Sequence, residues 1–272
     1  MLGIPDSYSD YVAWEQLPHL WCAGCGHGII LKGIILSLGE LDIPPHKALL
    51  ASGIGCSGRA GDYVACHRFQ GTHGRSLAFA TGIAAAQPDL TIVALLGDGD
   101  AGAIGGNHLI HATRRNINIT TVITNNYNYG MTGGQFSPLT PENSITSTSR
   151  SGKTESIMDV CSLVAEAGAN YVARTTVYHV GEMHKFFKEA ISTKGFSLVE
   201  VISPCPTYYG RYNKIGNSPE MLNWLKEKAI PLEKYNSLSQ EEKQNFVWRG
   251  KLIQRSREDF ISKYKKQQSA VK

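Results

Sequence analysis

Two short apolar runs each stop at polar groups that a sheet interior cannot hold. Thr91 to Leu96 runs into Gly97-Asp98-Gly99-Asp100, and Thr120 to Thr124 runs into Asn125-Asn126-Tyr127-Asn128-Tyr129-Gly130. Continuous apolar runs of this length read as strands of a parallel sheet, buried on both faces. In such a sheet every carboxyl end lies along one edge, so Asp98 and Asn126 can meet although they are far apart in sequence. A carboxylate beside an amide oxygen suits a hard cation such as Mg²⁺, which shares its shell with phosphates. Glycine-rich strand ends are also where open α/β sheets take phosphorylated ligands. Gly-Asp-Gly alone is a common tight turn. The matching second strand end gives it weight.

The rest of the chain alternates in the same way. Helical patterns over 26–40, 76–87, 104–115, 156–167 and 180–194 alternate with apolar strands over 48–52, 171–174 and 197–202. This predicts an α/β fold, a mainly parallel sheet with helices on both faces. Residues 138–151, rich in Ser and Thr, read as a loop. No apolar run reaches the roughly 18 residues of a membrane span, and the longest candidate, 28–38, contains Lys32. The end of the chain differs in character. Val247 to Lys272 holds eight Lys and Arg against Glu258 and Asp259, which leaves the remainder at a net −2. A solvated helix is the plainer reading. A docking arm for a partner subunit or an acidic electron carrier is the functional one. Nucleic-acid binding is not expected, because no recognition motif accompanies the charge.

The six cysteines form a second signal. Cys22 and Cys25 make a CxxC, Cys56 follows the strand 48–52, and Cys205 follows the strand 197–202. All four sit in loops or at strand ends, where they can converge. Four thiolates can hold an iron–sulfur cluster or a structural zinc, and for the CxxC alone a redox dithiol is equally open. Cys161 falls in a helical pattern and reads as core, and Cys66 reads as buried or free. A disulfide framework is not expected in a chain with no signal segment and enough length for a core; the expected compartment is the cytoplasm.

Together the two signals resemble the β subunit of the 2-oxoacid:ferredoxin oxidoreductases. The matching stretches are Trp21-Cys22-Ala23-Gly24-Cys25-Gly26-His27-Gly28, Gly55-Cys56-Ser57-Gly58-Arg59, Thr72-His73-Gly74-Arg75, Gly97-Asp98-Gly99-Asp100, Gly105-Gly106-Asn107-His108, Asn126 with Tyr129-Gly130-Met131-Thr132-Gly133-Gly134-Gln135, and Ser203-Pro204-Cys205-Pro206. The resemblance implies that Cys22, Cys25, Cys56 and Cys205 hold one 4Fe-4S cluster close to thiamine diphosphate. It implies Mg²⁺ ligation by Asp98, Asn126 and the backbone carbonyl of Asn128, where the family more often has an apolar side chain. Gly99 and Asp100 match residues beside the diphosphate. Ile54, Gly55, Cys56 and Ser57 match a loop along the cofactor, and His73 matches a cofactor contact. Gly130 and Met131 match residues under the thiazolium ring. Residues 1–216 are then the thiamine-diphosphate- and iron-sulfur-binding domain, and 217–272 a basic, helical C-terminal extension.

The implied reaction is the reversible, coenzyme A-dependent oxidative decarboxylation of a 2-oxoacid, with electrons leaving to ferredoxin. The glutamate that thiamine enzymes need at the aminopyrimidine ring would come from an α subunit in a heterodimer, since no second α/β domain is visible here. Residues 205–214 look most like the 2-oxoglutarate branch, with pyruvate next and a branched 2-oxoacid third. Arg59 is the candidate substrate contact. Two rivals remain: a non-catalytic iron–sulfur or zinc electron-transfer module, and an iron-free thiamine decarboxylase. The first has no use for a Mg²⁺–diphosphate site, and the second has no use for the four matched cysteines.

Overall fold

The computed structural model describes residues 6–270. Eight strands form one sheet: β1 (Ala48–Ser52), β2 (His67–Gln70), β3 (Thr91–Gly97), β4 (Ile119–Asn125), β5 (Tyr171–Thr176), β6 (Phe196–Ile202), β7 (Ala229–Pro231) and β8 (Val247–Gln254). Their spatial order is β2-β1-β3-β4-β6-β5-β8-β7. Every pairing is parallel except β5 with β8. The central strands β4 and β6 are buried at every position, as a sheet covered on both faces requires.

Alternate residues feed two cores. Leu50, Val93, Leu95, Val122 and Val199 face one side, against Ile30 and Ile34 of the helix His27–Glu40 and Phe187 of the helix Val180–Ser192. Leu49, Ile92, Ala94, Leu96 and Ile123 face the other. That side is covered by the helices Ser76–Ala86, Gly106–Arg115 and Val160–Ala167. No helix among the described residues is long and apolar enough to cross a membrane.

Three parts differ from the sequence reading. The helix expected from 156 begins at Val160, because Asp159 caps it by accepting from the backbone of Cys161 and Ser162. The edge strand β2 carries the exposed and largely polar run His-Arg-Phe-Gln, which gives no apolar signal.

The third difference lies in the C-terminal extension, expected to be helical. Helices do form at Ser218–Lys228 and Phe260–Ala270, but β8 between them is a strand of the main sheet. Its basic residues are tied into the fold. Lys251 pairs with Glu189 at 2.8 Å, and Arg249 pairs with Glu182, both acids lying on the helix Val180–Ser192. Arg255 and Arg257 donate to the carbonyls of Ala165, Ala169 and Gly168, satisfying the end of the helix Val160–Ala167. The charge run is therefore partly a set of internal clamps.

Candidate functional site

Parallel pairing puts the carboxyl ends of β1, β3, β4 and β6 along one edge, and the loops that follow them meet there. Behind β3, Asp98 is 3 % exposed, and its Oδ2 accepts from the Ser137 hydroxyl at 2.6 Å. Behind β4, the Asn126 side-chain oxygen lies 3.1 Å from Asp98 Oδ1 and 2.5 Å from the Asn128 carbonyl oxygen. Without a cation, turning the amide over relieves this by letting its nitrogen donate to both. With a divalent cation between them, three converging oxygens are what the metal needs. The residues present therefore fit a Mg²⁺ ion. Burial pushes the Asp98 carboxyl up to about 7, despite the Ser137 bond that favours its charge. A carboxylate so disfavoured needs a positive partner.

Asp100 is equally buried and aims elsewhere. Its Oδ1 accepts from the Gly74 backbone at 2.7 Å and from His73 Nδ1. Its Oδ2 has no partner. A side chain on Gly53, just after β1, would meet that oxygen at 1.6 Å, so only glycine lets the two loops close on each other. Asp100 thus joins the loops after β1, β2 and β3. Ser57, in the first of them, has its hydroxyl 3.3 Å from His27 Nε2, and burial depresses that imidazole to about 4.

The cysteine segments converge as expected. Cys22, Cys25, Cys56 and Cys205 line one cavity of about 160 Å³ together with His27, Arg59, Asn126, Gly130 and Met131. Gly24 and Gly26 both take a left-handed φ of +78°, which folds the CxxC loop tightly. The Ser203 hydroxyl donates to the Cys25 carbonyl at 2.6 Å, fastening that loop to the one after β6. Trp21 Nε1 donates to the Cys56 carbonyl at 2.7 Å. Among the described residues, no three His, Cys, Asp or Glu side chains form a closed group for a metal ion. Burial, then the neighbouring cysteines, push the Cys56 thiol up to about 11; Cys25 is raised to about 11 mainly by burial. Cys161 is fully buried in the second core, and Cys66 is partly buried and free.

The two halves of the site are one backbone step apart. The Cys205 amide donates to the Asn126 carbonyl at 3.1 Å, and the Ser203 amide donates to the Asn125 carbonyl at 2.9 Å. Ile54 is 42 % exposed and Met131 50 % exposed. Arg59 makes only a loose pair with Asp62, 3.8 Å away and half-exposed. Ser137 was not legible beforehand: it stands at the edge of a polar loop and reaches Asp98 only through the fold.

Residues 53–201 match the family described as thiamine pyrophosphate enzyme, C-terminal TPP binding domain. The 2-oxoglutarate synthase subunit KorB of Methanocaldococcus jannaschii is 43 % identical over 94 % of this chain and 95 % of its own length. The subunit of the same name from Archaeoglobus fulgidus is 50 % identical over 74 % of this chain and 75 % of its own. Among solved structures, a 2-oxoglutarate:ferredoxin oxidoreductase from Magnetococcus marinus, with 2-oxoglutarate, coenzyme A and succinyl-CoA bound, superposes with a TM-score of 0.86. It is 31 % identical, and the match covers 100 % of this chain and 92 % of that one.

Proposed function

The chain belongs to the thiamine pyrophosphate enzymes, within the 2-oxoglutarate synthase KorB subunits, and from that membership we propose how its site works. It holds thiamine diphosphate through Mg²⁺ at the ends of β3 and β4, and one 4Fe-4S cluster on Cys22, Cys25, Cys56 and Cys205. The reaction is the coenzyme A-dependent interconversion of 2-oxoglutarate with succinyl-CoA and CO₂, with ferredoxin as electron partner. The observation that carries this reading is the single cavity in which Asn126 and all four cysteines take part.

Asp98, the Asn126 side chain and the Asn128 carbonyl would hold the metal. When bound, thiamine diphosphate supplies the carbon that attacks the 2-oxo group, and the cluster supplies a one-electron acceptor. The chain's own residues orient and desolvate these groups. The contact between Asp100 Oδ1 and His73 Nδ1 fixes the orientation of the imidazole ring. Gly99 lies against the Tyr129 ring, where a side chain would collide at 2.2 Å, so only glycine lets the ends of β3 and β4 pack this closely. Gly130 and Met131 offer an apolar surface beside the metal turn, and Trp21 fastens the cysteine side to the loop after β1. A cubane spreads four thiolates around a body several atoms wide. That suits thiols sharing a cavity without a closed single-ion group.

Leu20, 75 % exposed, and Met131 stand at this cavity, and Ile104 is exposed nearby in sequence to Asp100. Exposed apolar groups beside a polar site favour a covering partner. We assign that role to an α-type subunit carrying the missing glutamate. Six unpaired cysteines suit a reducing cytoplasm.

Anaerobic co-purification with that subunit tests the reading. Dye reduction should require both 2-oxoglutarate and coenzyme A, and pyruvate should be the poorer substrate. Full activity with pyruvate and none with 2-oxoglutarate would overturn the substrate. Arg59 lines the cavity with only a loose ion pair to Asp62, and we assign it to a substrate carboxylate. Losing a charge-assisted bond at a half-solvated position costs about 10-fold in KM. Arg59→Ala should raise the 2-oxoglutarate KM by that factor. Equal loss for pyruvate marks the carboxylate next to the keto group, and selective loss marks the distal one. No change with either removes Arg59 from the site.

A further inference from the structure

A buried charged island lies directly behind the cation-binding turn, on the face of the sheet covered by the helix Val160–Ala167. Glu200 of β6 is 2 % exposed. It stands across from Arg174 of β5 and from Ile123 of β4, two residues before Asn125. Its Oε1 accepts from the Asn125 side-chain amide at 2.7 Å, and its Oε2 accepts from Arg174 Nε at 2.5 Å. Cys161 Sγ lies 3.3 Å from the same Oε2. Arg174 is held in turn by Asp159 at 2.7 Å and lies 4.1 Å above the ring of Trp248 from β8.

Asn125 is gripped at both ends. Its amide nitrogen goes to Glu200, and its oxygen accepts from the Tyr127 backbone at 3.2 Å. Tyr127 has a φ of +62°, a left-handed conformation that a bulky side chain rarely adopts. That residue separates Asn126 from Asn128, whose oxygens converge with Asp98. A straight line of contacts therefore runs from β8 through Arg174, Glu200 and Asn125 to the turn.

We infer that Glu200 is a positioning residue for the cation-binding turn, acting through Asn125. The donor inventory requires a carboxylate there. Arg174 and Asn125 both present N–H groups to it, so both of its oxygens must accept. A glutamine would turn an amide nitrogen onto one of the two donors. Flipping Asn125 to compensate would set its nitrogen against the Tyr127 N–H.

This inference rests on the proposed Mg²⁺–diphosphate site. Its test is Mg²⁺ affinity at saturating thiamine diphosphate, read from tryptophan fluorescence of the complex with its partner subunit, alongside iron content. Supporting residues of metal sites are worth about 10–100-fold in affinity. Asn125→Ala and Glu200→Gln should each weaken Mg²⁺ at the lower end of that range, with iron content retained. The double variant should be no worse than the stronger single, since both cut one line of contacts. Cys161→Ala touches Glu200 without touching Asn125 and should stay within about twofold of the unchanged complex. Unchanged Mg²⁺ affinity in both single variants, or full additivity in the double, overturns the inference. Should Glu200→Gln fail to fold, Asn125→Ala decides alone. Failure of the underlying reading looks different: the unchanged complex would then show no Mg²⁺-dependent thiamine diphosphate binding.

Discussion

Asp98→Ala is expected to empty the thiamine diphosphate site while leaving the fold intact. Asp98 is the one charged group among the three oxygens that converge at the ends of β3 and β4. Removing it leaves two neutral oxygens to hold a divalent ion against a diphosphate. Since even supporting residues of metal sites are worth about 10–100-fold, the loss of a charged ligand should exceed the top of that range. The strand end tolerates a small side chain, and the group removed is one that burial already disfavours. With a carboxyl raised to about 7, the metal-free chain draws stability from the protonated form. That contribution is complete below about pH 4 and fades as pH rises through about 7, because the unfolded chain then binds fewer protons. Metal uptake must expel that proton. Mg²⁺ affinity of the unchanged protein should therefore rise with pH up to about 7 and level off above it. Thiamine content of the purified complex and Mg²⁺ titrations at several pH values check both points. Full thiamine occupancy in Asp98→Ala would remove it from the site.

The legible parts of this chain are those where one physical signal dominates. β3, β4 and β6 are buried on both faces, so their apolar runs are unbroken and their polar stops mark the functional edge. β2 and β8 were illegible for opposite reasons. β2 is an exposed edge with little to bury. β8 carries Arg249 and Lys251, whose charges read as a solvated helix until the acids of the helix Val180–Ser192 are seen opposite them. At the site, Asp98, Asn126 and the cysteines announce themselves through glycines and strand ends. Ser137 and Glu200 do not. A serine in a loop and a glutamate inside an apolar strand acquire meaning only from the partner across the sheet. The glutamate did carry one faint mark: a lone acid in a buried strand must be paired.

Cys205→Ser is expected to separate the cluster from the cofactor. The link between Cys205 and the metal turn is its backbone amide, which donates to the Asn126 carbonyl and survives any change of side chain. Thiamine diphosphate occupancy should therefore persist while the cluster is lost. Asp98→Ala predicts the converse, iron kept and thiamine gone. Cys22→Ser and Cys25→Ser should behave like Cys205→Ser, because the bonds that tie this segment to its neighbours, from Ser203 to the Cys25 carbonyl and from Trp21 to the Cys56 carbonyl, do not use the thiols. Cys56→Ser should depress both contents, since Cys56 stands in the loop after β1 and lines the cavity beside Asn126. Cys161→Ser is the control. Its thiol is buried against Glu200, outside the cavity, and a hydroxyl can keep that contact. The unchanged chain, purified anaerobically, should carry about four irons and a broad visible absorption that bleaches on reduction. Iron and thiamine assays on the same samples read every outcome. One zinc and no iron would replace the cluster with a structural ion. Equal iron loss at Cys161 would show that the four thiols around the cavity are not the ligand set. Loss of thiamine in Cys205→Ser would show that the cluster itself, and not the backbone bond, holds the turn in place.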